Sequence, residues 1–424
     1  MKLFLRRLGA FLEVSLGLDQ MESNFKKFAA MHGTFNLFQG LVSVYITTLL
    51  LSVSGDGNIV RWFNMITFAF TGSMMPVALM FMRKRSTNLV TRIGIMGFIL
   101  FYTVLLFSMD HADAVMPILG VLNGVANAFY WLTYSSYVSA FTSDNRRDVA
   151  LAFLGLVNGI ITLTMPVLSG YIIETIGGIW GYIVAFGLAF IVAVITILLS
   201  LRLPKHVIPA EQKVTRTFYK KAISEIIHKS CWRFGMLSEV MRGVREGTFN
   251  FLLNLLLFNI ISSETLTGIN TLLVGLGTIL SFWLIGRIVK PHNRVSIMLV
   301  GTIVLCAACA IPAFSLTPFG LIAFSLVNAF FTQFIVNSSS SIFFFLVQKK
   351  SEPHMREEYF SIRELMLAIG RVAGIALLFI FPETQTGYVI AIVILTMSQF
   401  LTVGLCKHTL TILKREDEKE QLEG

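Results

Sequence analysis

Long apolar runs separated by short polar breaks fill almost the whole chain. Twelve can be marked, at residues 30–52, 59–82, 89–109, 115–141, 149–173, 180–201, 242–261, 266–289, 295–314, 321–347, 362–381 and 387–407. Each is about 20 residues or longer, enough to cross a hydrocarbon core ~30 Å thick as a helix. Backbone groups in lipid must bond within their own segment, and the runs lack the alternation of barrel strands. The pattern predicts an all-α membrane protein with twelve transmembrane helices.

The polar breaks differ from one side to the other. Arg83-Lys84-Arg85, Arg146-Arg147, the stretch 202–233, Arg287/Lys290/Arg294 and Lys349-Lys350 occupy every second connection. The others read SGDGN, DHADA, ETIGG, SSET, LTP and PETQTG, and of 34 Lys and Arg only Arg61 falls among them. Basic loops stay cytoplasmic, so a multi-pass protein of the cell membrane with both termini in the cytoplasm is expected.

Composition agrees with this placement. The 424 residues are 55% hydrophobic and 14% charged, with a mean hydropathy of +0.74. A soluble surface of that size needs more charge. A net charge of +10 would suit nucleic acid if it were clustered, but it lies spread along one membrane face, so no nucleic-acid partner is expected. The N-terminal MKLFLRRLGAFLEVSLGL reads as an amphipathic helix on the membrane surface, with Glu13 interrupting what would otherwise resemble a leader. Cys306 and Cys309 lie in an apolar stretch without further ligands and read as buried small residues. No cofactor or metal is expected.

The longest polar connection sits at mid-chain, and the two sides of it repeat each other. Gly33-Thr34-Phe35-Asn36 recurs as Gly247-Thr248-Phe249-Asn250, an offset of 247 − 33 = 214. Asn123 and Ser135-Ser136 match Asn328 and Ser340-Ser341 at an offset of 205, and RIGIMG at the start of run three matches VSIMLVG in run nine. Ordered matches at similar offsets point to duplication. The expected organisation is a cytoplasmic segment 1–29, a six-helix bundle 30–201, a cytoplasmic linker 202–234, a second pseudo-symmetric six-helix bundle 235–407 and a cytoplasmic tail 408–424.

These features resemble the major facilitator superfamily. Its loop pattern, roughly G-x-x-x-D-R-x-G-R-R, is matched in part by Gly286 and Arg294, with Lys290 at the aspartate position. Its first copy keeps only the basic Arg83, Lys84 and Arg85. The antiporter R-x-x-Q-G of span four appears as Gly120-Val-Leu-Asn123-Gly124, without the arginine, and Gly155, Gly159, Pro166 and Gly170 echo the antiporter span five without its G-P pair. The resemblance implies two six-helix halves around a central cavity lined by spans one, four, seven and ten, and does not imply drug-type proton antiport.

Charge at the centre of a membrane helix costs roughly 2.5–3.5 kcal/mol on insertion scales, so such residues face a cavity or a partner. Arg371 sits near the middle of run eleven, with Glu364 two turns earlier on the same face. It reads either as a ligand for an anionic substrate group or as an interhelical ion pair with Glu246. Arg242 and Glu246 are four apart and can pair. With Arg245, Arg363 and Glu364 they read as an inner gate between the halves, with Glu246 and Glu364 as proton-sensitive carboxylates. For Glu239 and Arg242 a solvated helix end is the preferred reading. In run four Asn123, Asn127, Trp131 and Tyr134 share one helical face. Asn36, Gln39 and Tyr45 of run one, Asn250 of run seven, and Asn328, Thr332, Gln333 and Asn337 of run ten complete the expected cavity lining. Amides of this kind also serve as glue between helices.

The leading expectation is a monomeric secondary transporter, not an enzyme. It moves a small anionic or zwitterionic solute, or a lipid, by alternating access, in contact with membrane lipid. The seven histidines, at 32, 111, 206, 228, 292, 354 and 408, lie in or near loops without catalytic or metal spacing. No phosphate-binding Gly-rich loop appears. The alternative is a transporter-like sensor or assembly partner that no longer transports.

Overall fold

A computed structural model describes residues 21–54, 58–205, 215–249, 252–253, 256, 264–314, 316–381 and 384–423. Short 3-10 turns aside, the elements among them are α-helices. In chain order they are α1 (Ser23–Ser54), α2 (Asn58–Lys84), α3 (Thr87–Phe107), α4 (Ala112–Phe141), α5 (Asp144–Ile176) and α6 (Gly178–Ser200). There follow α7 (Thr215–His228), α8 (Ser230–Glu246), α9 (Glu264–Ile288), α10 (Arg294–Ala308) and α11 (Ala310–Phe314). The last four are α12 (Pro318–Lys350), α13 (Arg356–Leu378), α14 (Gln385–Met397) and α15 (Gln399–Glu423).

Local chemistry sets the breaks. Ser86, Thr317 and Thr384 cap α3, α12 and α14 by accepting from Leu89 N, Gly320 N and Gly387 N, each at 3.1 Å. Pro318 occupies the first turn of α12, where no N–H is needed. Gly177 turns the chain from α5 into α6 at φ +74°, a conformation that an L side chain resists.

Nine stretches among the described residues are long and apolar enough to cross a membrane: α2–α6, α9, α10 with α11, α12, and α14 with α15. The other three apolar runs of the sequence fall on α1, on α8 with the partly described residues after it, and on α13. The reason is plain for α8 and α13, which carry Glu239, Arg242, Arg245, Glu246 and Glu357, Glu358, Arg363, Glu364, Arg371. Large apolar side chains such as Phe107, Phe314 and Phe319 stand exposed on the outside, as lipid contact requires.

Two boundaries move relative to the sequence reading. Helix α1 starts at Ser23, and Phe25 and Phe28 are fully buried, Phe28 against Tyr134, Tyr137 and Phe141 of α4. Residues 23–29 therefore belong to the bundle, while residues 1–20 lie outside the described ones. The tail is a continuation of α15, tied to the end of α12 by Lys350–Glu416 at 2.8 Å and by Lys349–Asp417.

The first six helices meet the later ones along two seams. In one, Gly72 of α2 faces Ala368 of α13; in the other, Gly155 and Leu163 of α5 face Phe282 and Gly275 of α9. The tightest packing lies elsewhere, between α8 and α13. A Cβ on Gly370 would lie 2.1 Å from the Val240 carbonyl oxygen, and one on Gly374 would lie 2.2 Å from that of Val244. In the other direction, a Cβ on Gly243 would lie 2.3 Å from the Leu367 carbonyl oxygen, and one on Gly247 would lie 2.7 Å from the Arg371 Cα. Each helix thus offers a glycine pair at i, i+4 to the other, the small-residue device that lets membrane helices touch.

This packing predicts that Gly370→Ala lowers the melting temperature in detergent by the equivalent of about 1–3 kcal/mol, the usual cost of overpacking. Gly404→Ala, at a position with nothing within 4 Å, should leave it unchanged or slightly raised. Equal melting for both variants and the parent would show that the two helices are not in this contact.

Candidate functional site

The glycine contact presses the charged residues of α8 and α13 together, and they form a single line of alternating sign. Arg371 Nη2 donates to Glu246 Oε2 at 3.0 Å, and Glu246 Oε1 lies 3.1 Å from Arg242 Nε as an ion pair. Arg242 Nη2 is 2.8 Å from Glu239 Oε2, which also accepts from Arg363 Nε at 3.1 Å. Arg363 Nη1 ends the line on Glu364 Oε1 at 2.8 Å. Ser340 of α12 braces the middle by accepting from Arg242 Nη1 at 2.7 Å. Three guanidiniums and three carboxylates cancel. Such pairing of opposite charges lowers the cost of holding six of them away from water, although Glu239 Oε1 and Arg242 Nε make no hydrogen bond among the described residues.

Exposure along the line is uneven. Glu239 and Arg242 are 0% and 4% exposed, so they form no solvated helix end. The side chain of Arg371 is 22% exposed, and its guanidinium lies over the Phe68 ring of α2 at 5.1 Å. The whole line belongs to α8 and α13, so none of its ion pairs joins the two sets of helices directly, as a gate formed by Arg242, Arg245, Glu246, Arg363 and Glu364 would require in its closed state.

Arg245 stands apart from the line. It turns to α12, donating to Asn328 Oδ1 at 2.5 Å and resting over the Phe249 ring at 4.0 Å.

Opposite lies the face of α4. Asn127 Nδ2 donates to the carbonyl and the side-chain oxygen of Asn123, and Trp131 Nε1 donates to Asn127 Oδ1 at 2.9 Å. Trp131 and Tyr134 sit edge to face at 5.0 Å, and Tyr134 lies within electrostatic range of Arg363 and Glu364. His32 of α1 joins this group, its Nδ1 2.7 Å from the Tyr130 hydroxyl and its ring 4.8 Å from that of Tyr134. It is a buried helix residue, and the loop placement read from sequence was wrong for it.

Several expected lining residues turn elsewhere. Gln39 accepts from the Tyr102 hydroxyl of α3, which makes it a link between helices. Asn337 reaches Asp148 Oδ1 of α5 at 3.4 Å. Asn328 accepts from Thr332 as well as from Arg245. Asn36 is buried with its Nδ2 unpartnered, and Gln333 is half-buried. Asn250 and the side chain of Tyr45 lie outside the described residues.

The contacts that join the two sets of helices gather at the end where the basic connections lie. Arg83 grips Glu358 with Nε at 3.2 Å and Nη2 at 2.5 Å, and Nη2 also donates to the His354 carbonyl. Arg294 donates twice to Asp148 Oδ2, at 3.0 and 2.7 Å, and once to Asp144 Oδ1 at 2.9 Å. Arg147 donates to Gln348 Oε1 at 2.8 Å. At the opposite end Trp62 meets Phe379 ring to ring at 5.6 Å.

A family model described as Major Facilitator Superfamily matches residues 28–375. The chain belongs to the major facilitator superfamily. Its relatives include YqgE of Bacillus subtilis (strain 168), 22% identical over 402 residues, 92% of this chain and 90% of that one. A protein from the sodM 3' region of Geobacillus stearothermophilus is 24% identical over 177 residues, 42% of this chain and 83% of that one. Among solved structures, the human organic anion transporter MFSD10 (TETRAN) superposes with a TM-score of 0.69 at 15% identity, over 91% of this chain and 100% of that one. FucP in the outward conformation gives 0.69 at 14%, over 91% and 99%. A bacterial homologue of the iron transporter ferroportin, outward-facing, gives 0.68 at 11%, over 92% and 100%. At these identities the likeness is one of fold.

As a superfamily member the protein is a multi-pass membrane protein with a transporter fold, and members of the family are transporters, not enzymes. The Arg371–Glu246 pair between α8 and α13 is one of the two readings the sequence offered for Arg371, whereas the pairs that join the two sets of helices were not readable from it. Arg83, Glu358, Asp148 and Arg294 lie near the ends of four different helices, and no local spacing links them. Glu239 was readable, three residues before Arg242 on one helix face, but was set aside as solvated.

If Arg294–Asp148 holds the two sets together, Asp148→Ala and Arg294→Ala should each cost about 3–5 kcal/mol, because each strands a buried charge. The double variant should cost clearly less than the sum, as read from melting in detergent. Strict additivity would mean that the pair carries no coupling.

Proposed function

We propose that the chain is a secondary transporter carrying a small anionic or zwitterionic solute, or a lipid with such a headgroup, by alternating access. Arg371 supports this reading most directly. It is an end member of the charge line, and among the described residues only one of its N–H groups is engaged, by Glu246. A planar fork over an aromatic ring, with its side chain part open, suits a carboxylate or phosphate. Asn123, Asn127, Trp131 and Tyr134 would contact the rest of the solute. An arriving anion would compete with Glu246 for Arg371, and the released carboxylate could then take a proton. Glu364, at the far end of the line, is the second candidate for coupling.

The reading includes twelve crossings in two six-helix halves, with the basic connections and both termini cytoplasmic. On that orientation Arg83–Glu358 and Arg294–Asp148 close the inner side and must part for release inward.

Two experiments bear on this. In vesicles, counterflow of labelled organic anions, zwitterions and lipids should occur with the parent, and Arg371→Lys should weaken apparent affinity roughly tenfold or more while expression persists. Glu246→Gln or Glu364→Gln should keep exchange but lose accumulation driven by a pH gradient. Full gradient-driven accumulation in both would rule out carboxylate coupling, and no counterflow by the parent would favour a non-transporting role.

For topology, the starting chain lacks Cys231, Cys306, Cys309 and Cys406. A cysteine at Asp113 should react with an impermeant reagent on intact cells, and one at Lys220 only after permeabilisation. Reaction at 220 on intact cells would invert the orientation.

A further inference from the structure

The charge line leaves one guanidinium over. Arg245 is 4% exposed, and no carboxylate lies within ion-pair distance of it among the described residues. Its neighbour Glu246 faces the other way and is already shared by Arg242 and Arg371. What Arg245 has is one neutral acceptor, Asn328 Oδ1, and the face of Phe249. Its Nε–H is buried and has no acceptor among the described residues.

Such a group is expensive. A buried cation without an opposite charge loses its hydration and recovers little of it from one amide and one ring. The fold itself does not demand a cation there. The offset of 214 that aligns Gly247-Thr248-Phe249 with Gly33-Thr34-Phe35 places Met31 opposite Arg245, and Met31 is equally buried, at 1%. An apolar side chain fills the corresponding position of α1.

We infer that Arg245 is the cation of a second, internal anion site between α8 and α12, which takes a small singly charged anion of the size of chloride. The unsatisfied Nε–H is the donor aimed at it, and the excess positive charge is what holds it. Burial to 4% excludes a bulky ligand without parting the helices. A monatomic anion needs no directional fit and can accept from a single N–H edge. The site is separate from Arg371, which belongs to the transport reading, and the inference stands without that reading.

The test compares melting of the purified protein in sodium chloride and in sodium gluconate at equal ionic strength. The parent should melt several degrees higher in chloride, with a shift that grows with the logarithm of concentration as for a single bound ligand. Arg245→Met should fold, lose the chloride shift, and melt in gluconate no lower than the parent. Arg371→Met should keep the shift. Equal melting of the parent in both salts, or a shift that survives in Arg245→Met, would overturn the site. Should Arg245→Met fail to fold, equilibrium dialysis of the parent with radiolabelled chloride decides. One chloride bound per chain by the parent and still bound by Arg371→Met supports the site, and none bound by Arg371→Met overturns it.

Discussion

Everything in the centre of this molecule depends on how closely α8 and α13 approach. Where Gly243, Gly247, Gly370 and Gly374 meet, each added Cβ would fall within 2.1–2.7 Å of the opposite backbone. At ordinary helix separations the side chains of Glu246 and Arg371 could interlock in many ways or in none. With the backbones in contact, Arg371, Glu246, Arg242, Glu239, Arg363 and Glu364 have few places to go except one after another. The order that results is strictly alternating, which is the arrangement that costs least where water is scarce. Small residues thus supply what a polar network in lipid needs, a fixed geometry in which most donors find a carboxylate.

The same helix also carries the contact that joins the two sets of helices. Glu358 lies about one and a half turns before Glu364 on α13 and is held by Arg83 of α2, while Ala368 packs on Gly72 and Arg371 rests on Phe68. A shift of α13 along or away from α2 therefore disturbs the end contact and the charge line together. Arg294 and Asp148 serve the second seam, between α5 and the start of α10, and have no member on α13. The two seams can respond to different events. Under the proposed role of Arg371, the first would follow its occupancy, and the second only whether the ends are together.

What the sequence made legible follows from the range of each interaction. Apolar runs, basic loops and the i, i+4 pairing of Arg242 with Glu246 are properties of one segment and could be read from it. So could the glycine pairs RGVREG and IGRVAG, whose i, i+4 spacing is visible, although nothing in either segment says that the other is its partner. The Asn123–Asn127–Trp131 ladder lies along one helix and could be read for the same reason. Gln39, Asn337 and Arg245 could not, because a polar residue in an apolar helix announces that it needs a partner without saying on which side. His32 was missed because it lies just inside the first apolar run, where a helix end and a loop look alike.

The linker shows how to weigh the contacts that remain. Helix α7 reaches the start of α13 through Lys221–Glu352, Tyr359–Glu225 and the neighbouring stack of Trp232 on Tyr359. The ion pair is short, at 2.7 Å, and the Lys221 ammonium holds the Glu352 carboxyl below its ordinary range. Yet both side chains are about half exposed, and a pair in that setting gains little over its hydrated partners. Tyr359 is buried, donates to Glu225 at 2.6 Å, and lies parallel to Trp232 with ring centres 3.8 Å apart. Burial of two large rings outweighs one exposed pair. The docking of the linker therefore rests on Tyr359. That residue stands next to Glu358, so the linker is attached at the same point of α13 that Arg83 grips from α2.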